Sequence, residues 1–252
     1  MFSAAEGSEV KKSARVIDFH SHVLPGIDDG SSSLEMSLEM LKATYAGKIR
    51  RIVATPHFYP ERTGLETFLE KRHKAAGKLL SCYNKEEMPA VYLGAEVAYY
   101  PSIGDGGSLR KLCIEGTDTI LIEMPFSRWS NYDIENILKV KNELGLNVVI
   151  AHIERYMDYQ KKETLPLLVE EGIRIQSNSE FFLSSKREAL RLLEKDYIHI
   201  LGSDMHNTTT RSQTLPEARE LIKKRLGEDY IRRILMNTKA LLEGAVSIEN
   251  LS

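Results

Sequence analysis

The sequence predicts an α/β fold of the (β/α)-barrel kind, and three observations predict it. Seven apolar, β-branched runs (15–19, 50–54, 90–94, 119–122, 147–151, 173–176 and 197–201) alternate with segments of helical periodicity, the pattern of a parallel sheet. At 252 residues the chain has the length of one such barrel, a fold that reaches this size without splitting. Five of its seven histidines fall at or just past the end of an apolar run, where barrel folds carry their chemistry.

Taken in order, each element has a local reason. RVIDF runs into His20-Ser21-His22 and a loop holding Asp28-Asp29-Gly30. In the helix that follows, Ser32 and Glu35 read as a capping box, Leu34, Leu38, Leu41 and Tyr45 share a face, and Gly47 is the stop. RIVAT leads to Pro56-His57, the proline denying the strand exit a ladder hydrogen bond. Helices are expected at 65–83, at 131–144 ending on Gly145, at 164–171 ending on Gly172, at 186–195, and at 215–226 between Pro216 and Gly227. AVYLGA ends at Glu96, TILI at Glu123, NVVIA at His152, and HILGS at Asp204 with His206 beyond. The loop PSIGDGGS (101–108) is too short to divide the chain. We therefore expect one domain, 16–252, after a flexible extension, 1–15.

Composition limits the function. A formal charge of −2 argues against a nucleic-acid-binding face, no apolar stretch reaches a membrane span, and 1–15 lacks the apolar core of a signal peptide, so a cytoplasmic protein is expected. The two cysteines, Cys82 and Cys113, are expected to be buried spacers. Neither has the arginine six residues on that a cysteine-dependent phosphatase needs; Met88 and Thr119 stand there.

The strand ends carry the chemistry. His20 and His22 are two apart, a spacing of about 6.6 Å along a strand with both side chains on one side, which lets two imidazoles hold one cation; Asp204 and His206 repeat it. Asp18 precedes the first pair. Of Asp28 and Asp29, one would ligate a cation while the other shapes the turn. Glu96 and Glu123 at strand ends need a cation or an arginine to offset their burial. Imidazole and carboxylate donors without thiolate suit Mn, Fe or Zn, and so many donors call for more than one ion. His73, in a charged helix, and His199, inside the last run, are set aside.

DFHSHVLPGIDDG, ATPH, LGAE, AHIERY and SDMHN stand in this order from about residue 16 to the C-terminus, and with them the chain resembles the polymerase and histidinol phosphatase (PHP) superfamily. Within it the chain is similar to the bacterial manganese-dependent protein-tyrosine phosphatases of capsular and exopolysaccharide gene clusters. The resemblance implies a distorted, TIM-like (β/α)7 barrel with three Mn2+ ions, Fe, Zn or Co being alternatives. It implies that His20, His22, Glu96 and Asp204 hold the first ion, that Glu96 bridges to a second held by Glu123 and His152, and that Asp29, His57 and His206 hold the third. Glu123 occupies a position that is His in several other PHP branches. Arg155 and Arg211 match positions that bind substrate phosphate, and with Asp204 make up the expected catalytic residues. The extension before Val16 is the main departure from the family.

The resemblance thus implies hydrolysis of phosphotyrosine on a protein by a metal-activated hydroxide, without a cysteine nucleophile. The expected partner is the C-terminal tail of a bacterial tyrosine kinase that controls polysaccharide synthesis. A PHP phosphoesterase acting on a small metabolite such as histidinol phosphate is the alternative. A metal-dependent C–N hydrolase and a non-catalytic docking protein are further rivals.

Overall fold

The computed structural model describes residues 17–250; the expected extension 1–15 lies outside them. Nine short strands, all paired in parallel, alternate with eight α-helices. The strands are β1 (Asp18–Ser21), β2 (Arg51–Ala54), β3 (His57–Phe58), β4 (Ala90–Leu93), β5 (Glu96–Ala98), β6 (Thr119–Glu123), β7 (Asn147–Ile150), β8 (Arg174–Asn178) and β9 (Ile200–Gly202). The helices are α1 (Leu34–Ala46), α2 (Leu65–Leu80), α3 (Asn131–Asn142), α4 (Thr164–Glu170), α5 (Phe181–Ser184), α6 (Lys186–Glu194), α7 (Leu215–Leu226) and α8 (Glu228–Leu241). Hydrogen bonding orders the strands β1-β2-β4 in one sheet and β3-β5-β6-β7-β8-β9 in a second.

The seven expected runs become nine strands because two of them, 50–54 and 90–94, are each followed past a break by a further short strand. Pro56 has no N–H to donate, so β2 stops at Ala54 and pairing resumes at His57. Beside it the chain breaks at Gly94-Ala95, between β4 and β5. Pairing continues through the breaks: Gly94 N–H donates to Ala54 O at 2.8 Å, and Glu96 N–H to Pro56 O at 3.0 Å. The sheet curls, and its ends approach. Asp204 N–H donates to His20 O at 2.8 Å, and His22 N–H to Met205 O at 2.9 Å, linking β1 to the segment after β9.

The pleat sorts the side chains. Ile17, Phe19, Val53, Leu121, Val149, Ala151 and Ile200 meet in one cluster on the inner face of the curl. Ile120, Ile122, Val148, Ile150 and Ile175 face the other way, against Ile137 and Val140 of α3, Leu168 of α4 and Ile231 and Ile234 of α8. Both faces of a parallel sheet are then buried, which is why its strands read as unbroken apolar runs. Cys113 is buried, as expected, but Cys82 at the end of α2 is exposed.

Helix α1 shows where one-dimensional reading slips. Its cap is Ser33, not Ser32: the Ser33 hydroxyl accepts the Met36 N–H at 3.2 Å. The buried stripe is Ser37, Met40, Leu41 and Thr44, of the expected face only Leu41, because the Ser37 and Thr44 hydroxyls satisfy themselves on Ser33 O and Met40 O and so are buried at little cost. Ser33→Ala is expected to destabilise the fold by about 1 kcal/mol and Ser32→Ala by a few tenths at most, as urea unfolding would measure.

Candidate metal centre

The strand ends bring nine donors together. His20 lies in β1 and His22 just past it; His57 opens β3, Glu96 opens β5 and Glu123 closes β6, while His152 follows β7 and Asp204 and His206 follow β9. Asp29 reaches in from the β1–α1 loop. Glu96 is the hub. Its Oε1 is 2.7 Å from His152 Nε2, and its Oε2 is 3.3 Å from His20 Nε2, 3.4 Å from His22 Nε2 and 2.9 Å from His57 Nδ1. Asp204 Oδ1 lies 3.3 Å from His22 Nε2 and 3.6 Å from His20 Nε2. Asp29 Oδ1 is 3.5 Å from both His57 Nε2 and His206 Nε2. His152 Nε2 is also 3.4 Å from Glu123 Oε1.

Three groups have donor atoms within 4.8 Å of one another: His20, His22 and Asp204; His57, Glu96 and Glu123; and His22, Asp29, His57 and His206. These overlap with the three sets implied by the resemblance. His57 also stands within reach of the Glu96–Glu123 pair.

The donors fit cations better than they fit one another. His206 Nε2 is buried without a hydrogen-bond partner, Glu96 Oε2 is crowded by three imidazole nitrogens at 2.9, 3.3 and 3.4 Å, and the Nε2 atoms of His20 and His22 face each other at 3.2 Å. A native interior does not leave such atoms unsatisfied. Divalent ions taking nitrogen and oxygen ligands would satisfy them. The charge balance agrees. Burial works against charge on Glu96 and Asp204, but the facing imidazoles outweigh it and hold both carboxyls well below their usual range. Burial likewise opposes charge on His152, yet hydrogen bonds to Glu123 and Glu96 push its pKa up to about 9. Burial and the neighbouring His22 push His206 down to about 4.

Surrounding groups aim the donors. Asp28 resolves the choice within the acidic pair: its Oδ2 meets His22 Nδ1 at 2.7 Å and accepts the His57 N–H at 3.1 Å, while Oδ1 accepts the Gly30 N–H at 3.0 Å. Asp28 therefore turns His22 Nε2 inward and shapes the loop, leaving Asp29, two-thirds exposed, beside the cluster. Gly30 is required there, since a Cβ would fall 2.3 Å from His22 Cβ. Gln176 Oε1 lies 3.3 Å from His20 Nδ1 and accepts the His152 N–H at 2.7 Å. Asn178 Nδ2 donates to Asp204 Oδ2 at 2.9 Å. Asp18 accepts the Ser203 N–H, the Ser203 hydroxyl and Gln213 Nε2, tying β1 to the last strand. Sequence reasoning missed Gln176 and Asn178. Their signal is the same strand-end position, where a side-chain amide can orient a ligating group as a carboxylate does.

Two of the four non-glycine residues with positive φ among the described residues belong to the cluster. His152 (φ 28°) and Asp204 (φ 52°) hold left-handed conformations that cost about 1–3 kcal/mol and persist where surrounding structure enforces them. Arg155 and Arg211 meet at the rim: Arg155 Nη2 donates to Asp204 Oδ2 at 2.5 Å and Arg211 Nη2 donates to the same oxygen at 2.9 Å. His73 pairs with Glu115 at 2.8 Å on the surface. His199 Nδ1 accepts the Ile175 N–H at 3.1 Å, outside the cluster, and burial pushes its pKa down to about 4.

A curled parallel α/β sheet with imidazoles and carboxylates at its strand ends is the architecture of a metal-dependent hydrolase. The chain belongs to the CpsB/CapC family of capsular polysaccharide synthesis, whose profile matches residues 16–243. It is 33% identical over 235 residues to the tyrosine-protein phosphatase YwqE of Bacillus subtilis (strain 168), covering 90% of this chain and 91% of the relative. It is 29% identical over 248 residues to the tyrosine-protein phosphatase CpsB of Streptococcus agalactiae serotype III (strain NEM316), covering 90% and 98%. Among solved structures it matches one from the work on YwqE of Bacillus subtilis and CpsB of Streptococcus pneumoniae, described as unique metal-dependent tyrosine phosphatases. That match has a TM-score of 0.79 at 31% identity and covers 92% of this chain and 96% of the other.

Two outcomes test the geometry. Asp28→Asn should weaken Mn2+ binding about 10- to 100-fold, the usual effect of losing a carboxylate that orients a ligating imidazole, as calorimetric titration would show. Because His152 keeps its proton up to about pH 9 in the metal-free chain, an incoming ion must displace that proton. Mn2+ affinity should therefore rise with pH between 6 and 9, and competition titrations across that range would reveal it.

Proposed function

We propose that this protein hydrolyses phosphotyrosine on a protein, using metal ions held at the strand ends and no cysteine nucleophile. The single observation that carries the reading is the pair Arg155 and Arg211. Both guanidinium groups converge on one Asp204 oxygen at the edge of the donor cluster, yet each side chain remains about a third exposed. Both therefore present N–H groups at the rim, Arg211 Nη1 lying 3.9 Å from Asp29 Oδ2, that can grip the oxygens of an incoming phosphate, a match of planar fork to tetrahedral anion that lysine does not make. The relatives named above are tyrosine-protein phosphatases, which supports the same conclusion.

His20, His22, Glu96 and Asp204 would hold one ion, Glu96, Glu123 and His152 a second, and Asp29, His57 and His206 a third, with Mn2+ the favoured metal. Ions so bound would lower the pKa of coordinated water and offset charge on phosphoryl oxygens. Arg155 and Arg211 orient the phosphate and stabilise the charge that builds on it. A water oxygen bonds to phosphorus as the bond from phosphorus to the tyrosine oxygen breaks, and the tyrosine leaves with a proton. Asp204 serves twice, facing the imidazoles with Oδ1 and the two arginines with Oδ2. Cys113 is ill suited to nucleophilic work: burial pushes its thiol up to about 12, the reverse of what a reactive thiolate requires.

Finer features belong to the same reading. The β2–β3 and β4–β5 interruptions leave seven strand courses, which supports a distorted (β/α)7 barrel of PHP type. Residues 16–252 would be one metallophosphatase domain behind the 1–15 extension. No helix among the described residues is long and apolar enough to cross a membrane, in keeping with a cytoplasmic enzyme. The exposed arginines and Asp29 make an open mouth, suited to the extended tail of a bacterial tyrosine kinase.

Several variants test this. His20→Ala and Asp204→Ala should abolish turnover of a phosphotyrosine peptide, and a chelator should do the same to the unaltered protein. Arg155→Ala or Arg211→Ala should lower kcat/KM about 100-fold. Cys82→Ser/Cys113→Ser should stay active. Steady-state kinetics on Mn2+-loaded protein decide the matter; a dead double-cysteine variant with its metals intact, or a clear preference for histidinol phosphate, refutes the proposal.

A further inference from the structure

Three residues beyond Glu123, on the loop between β6 and α3, Phe126 is half exposed. Its ring lies nearly parallel to the imidazole of His152, 16° between planes and 6.2 Å between centroids, and also touches Tyr156 at 5.4 Å. A lone exposed apolar side chain is ordinary. What sets this one apart is that its loop is held rigidly with the ring outward. Trp129 Nε1 donates to Pro125 O at 3.0 Å, Gln160 Nε2 donates to Ser127 O at 2.8 Å, and Gln160 Oε1 accepts the Trp129 N–H at 3.1 Å. Bonds on both sides of Phe126 thus hold it over a donor of the cluster, where it cannot withdraw into the core. Tyr59 stacks on His57 at 5.1 Å in a similar way, but the Arg62 guanidinium lies over its ring at 4.4 Å. Phe126 has no such cover.

We propose that Phe126 is the wall against which the aromatic ring of the substrate lies, and so a residue that selects aryl over alkyl phosphates. The proposal rests on the phosphatase reading. A phosphate gripped by Arg155 and Arg211 leaves its ester group one oxygen away. Arg155 ends the short 3₁₀ turn that begins at Ile153, directly after His152, so arginine and aromatic wall come from the exits of two adjacent strands, β7 and β6, with His152 between them in contact with the wall. A tyrosine ring stacked on Phe126 gains the attraction of offset or tilted ring pairs. A serine or threonine ester presents no ring to stack.

The experiment uses Mn2+-loaded protein and compares the unaltered chain with Phe126→Ala, Phe126→Leu and Phe126→Tyr. Measured are kcat and KM for a phosphotyrosine peptide, and Ki for inorganic phosphate, which probes the anion site alone. Phe126→Ala should raise KM about two- to tenfold, the range a ring pair supplies, with Ki for phosphate and metal content unchanged. Phe126→Leu should resemble Ala, and Phe126→Tyr should keep the original KM. Tyr132→Ala, which removes an exposed ring on α3, should change nothing. An unchanged KM in Phe126→Ala overturns the inference, as does a parallel rise of KM and Ki, which would mean only that His152 had been disturbed. Loss of phosphotyrosine turnover in the unaltered protein would sink the phosphatase reading and this inference with it; intact turnover with an unmoved KM sinks this inference alone.

Discussion

The buried Glu96 carboxylate is the constraint on which the rest of the structure depends. It is 1% exposed and within 3.4 Å of imidazole nitrogens from four different residues. A carboxylate removed from water needs positive charge beside it, and here the charge must come from imidazolium or from metal. Four strand ends have to converge for it to be met. That requirement sits where β4 gives way to β5 and β2 to β3, so the break in the sheet and the donor cluster coincide. The break turns what would be strand interiors into strand starts, and places His57 and Glu96 as paired neighbours in register.

Around this hub, neighbouring polar groups hold the donors in position. Asp28 holds His22 by one nitrogen, Gln176 faces His20 and fixes the His152 backbone, and Asn178 holds Asp204. Each of these contacts takes up the side of a residue that does not face the cluster, which keeps the other side free. The left-handed backbone at His152 and Asp204 adds stored strain at the same points. Preorganisation of this kind costs stability locally, and it is offset by the apolar clusters on both faces of the sheet.

Much of this was legible in the sequence because a buried parallel strand announces itself as an apolar run and its end as the first polar residue. That is how His20, His22, His57, Glu96, Glu123, His152, Asp204 and His206 could be picked out. Other features obeyed rules the sequence does not display. Ser37 and Thr44 are buried because their hydroxyls bond within their own helix, so a count of apolar residues finds Leu34, Leu38 and Leu41 against the core and misses the polar half of the buried stripe of α1. Cys82 was expected inside and lies outside, since helix α2 ends just before it and the chain turns at the surface. Gln176 and Asn178 looked like the end of an ordinary strand.

The sequence by itself determined the α/β class, the alternation of elements and which residue types stand at the strand ends, since all of these follow from local periodicity and chain order. Only the tertiary structure decided which ends meet: that Glu96 serves four imidazoles, that Asp28 orients while Asp29 faces the cluster, that two arginines share one oxygen of Asp204, and that Phe126 stands over His152. These are relations between segments as far apart as residues 20 and 204. They depend on the curl of the sheet, which arises from packing of both faces at once, and on an interruption that Pro56 marks on one strand only.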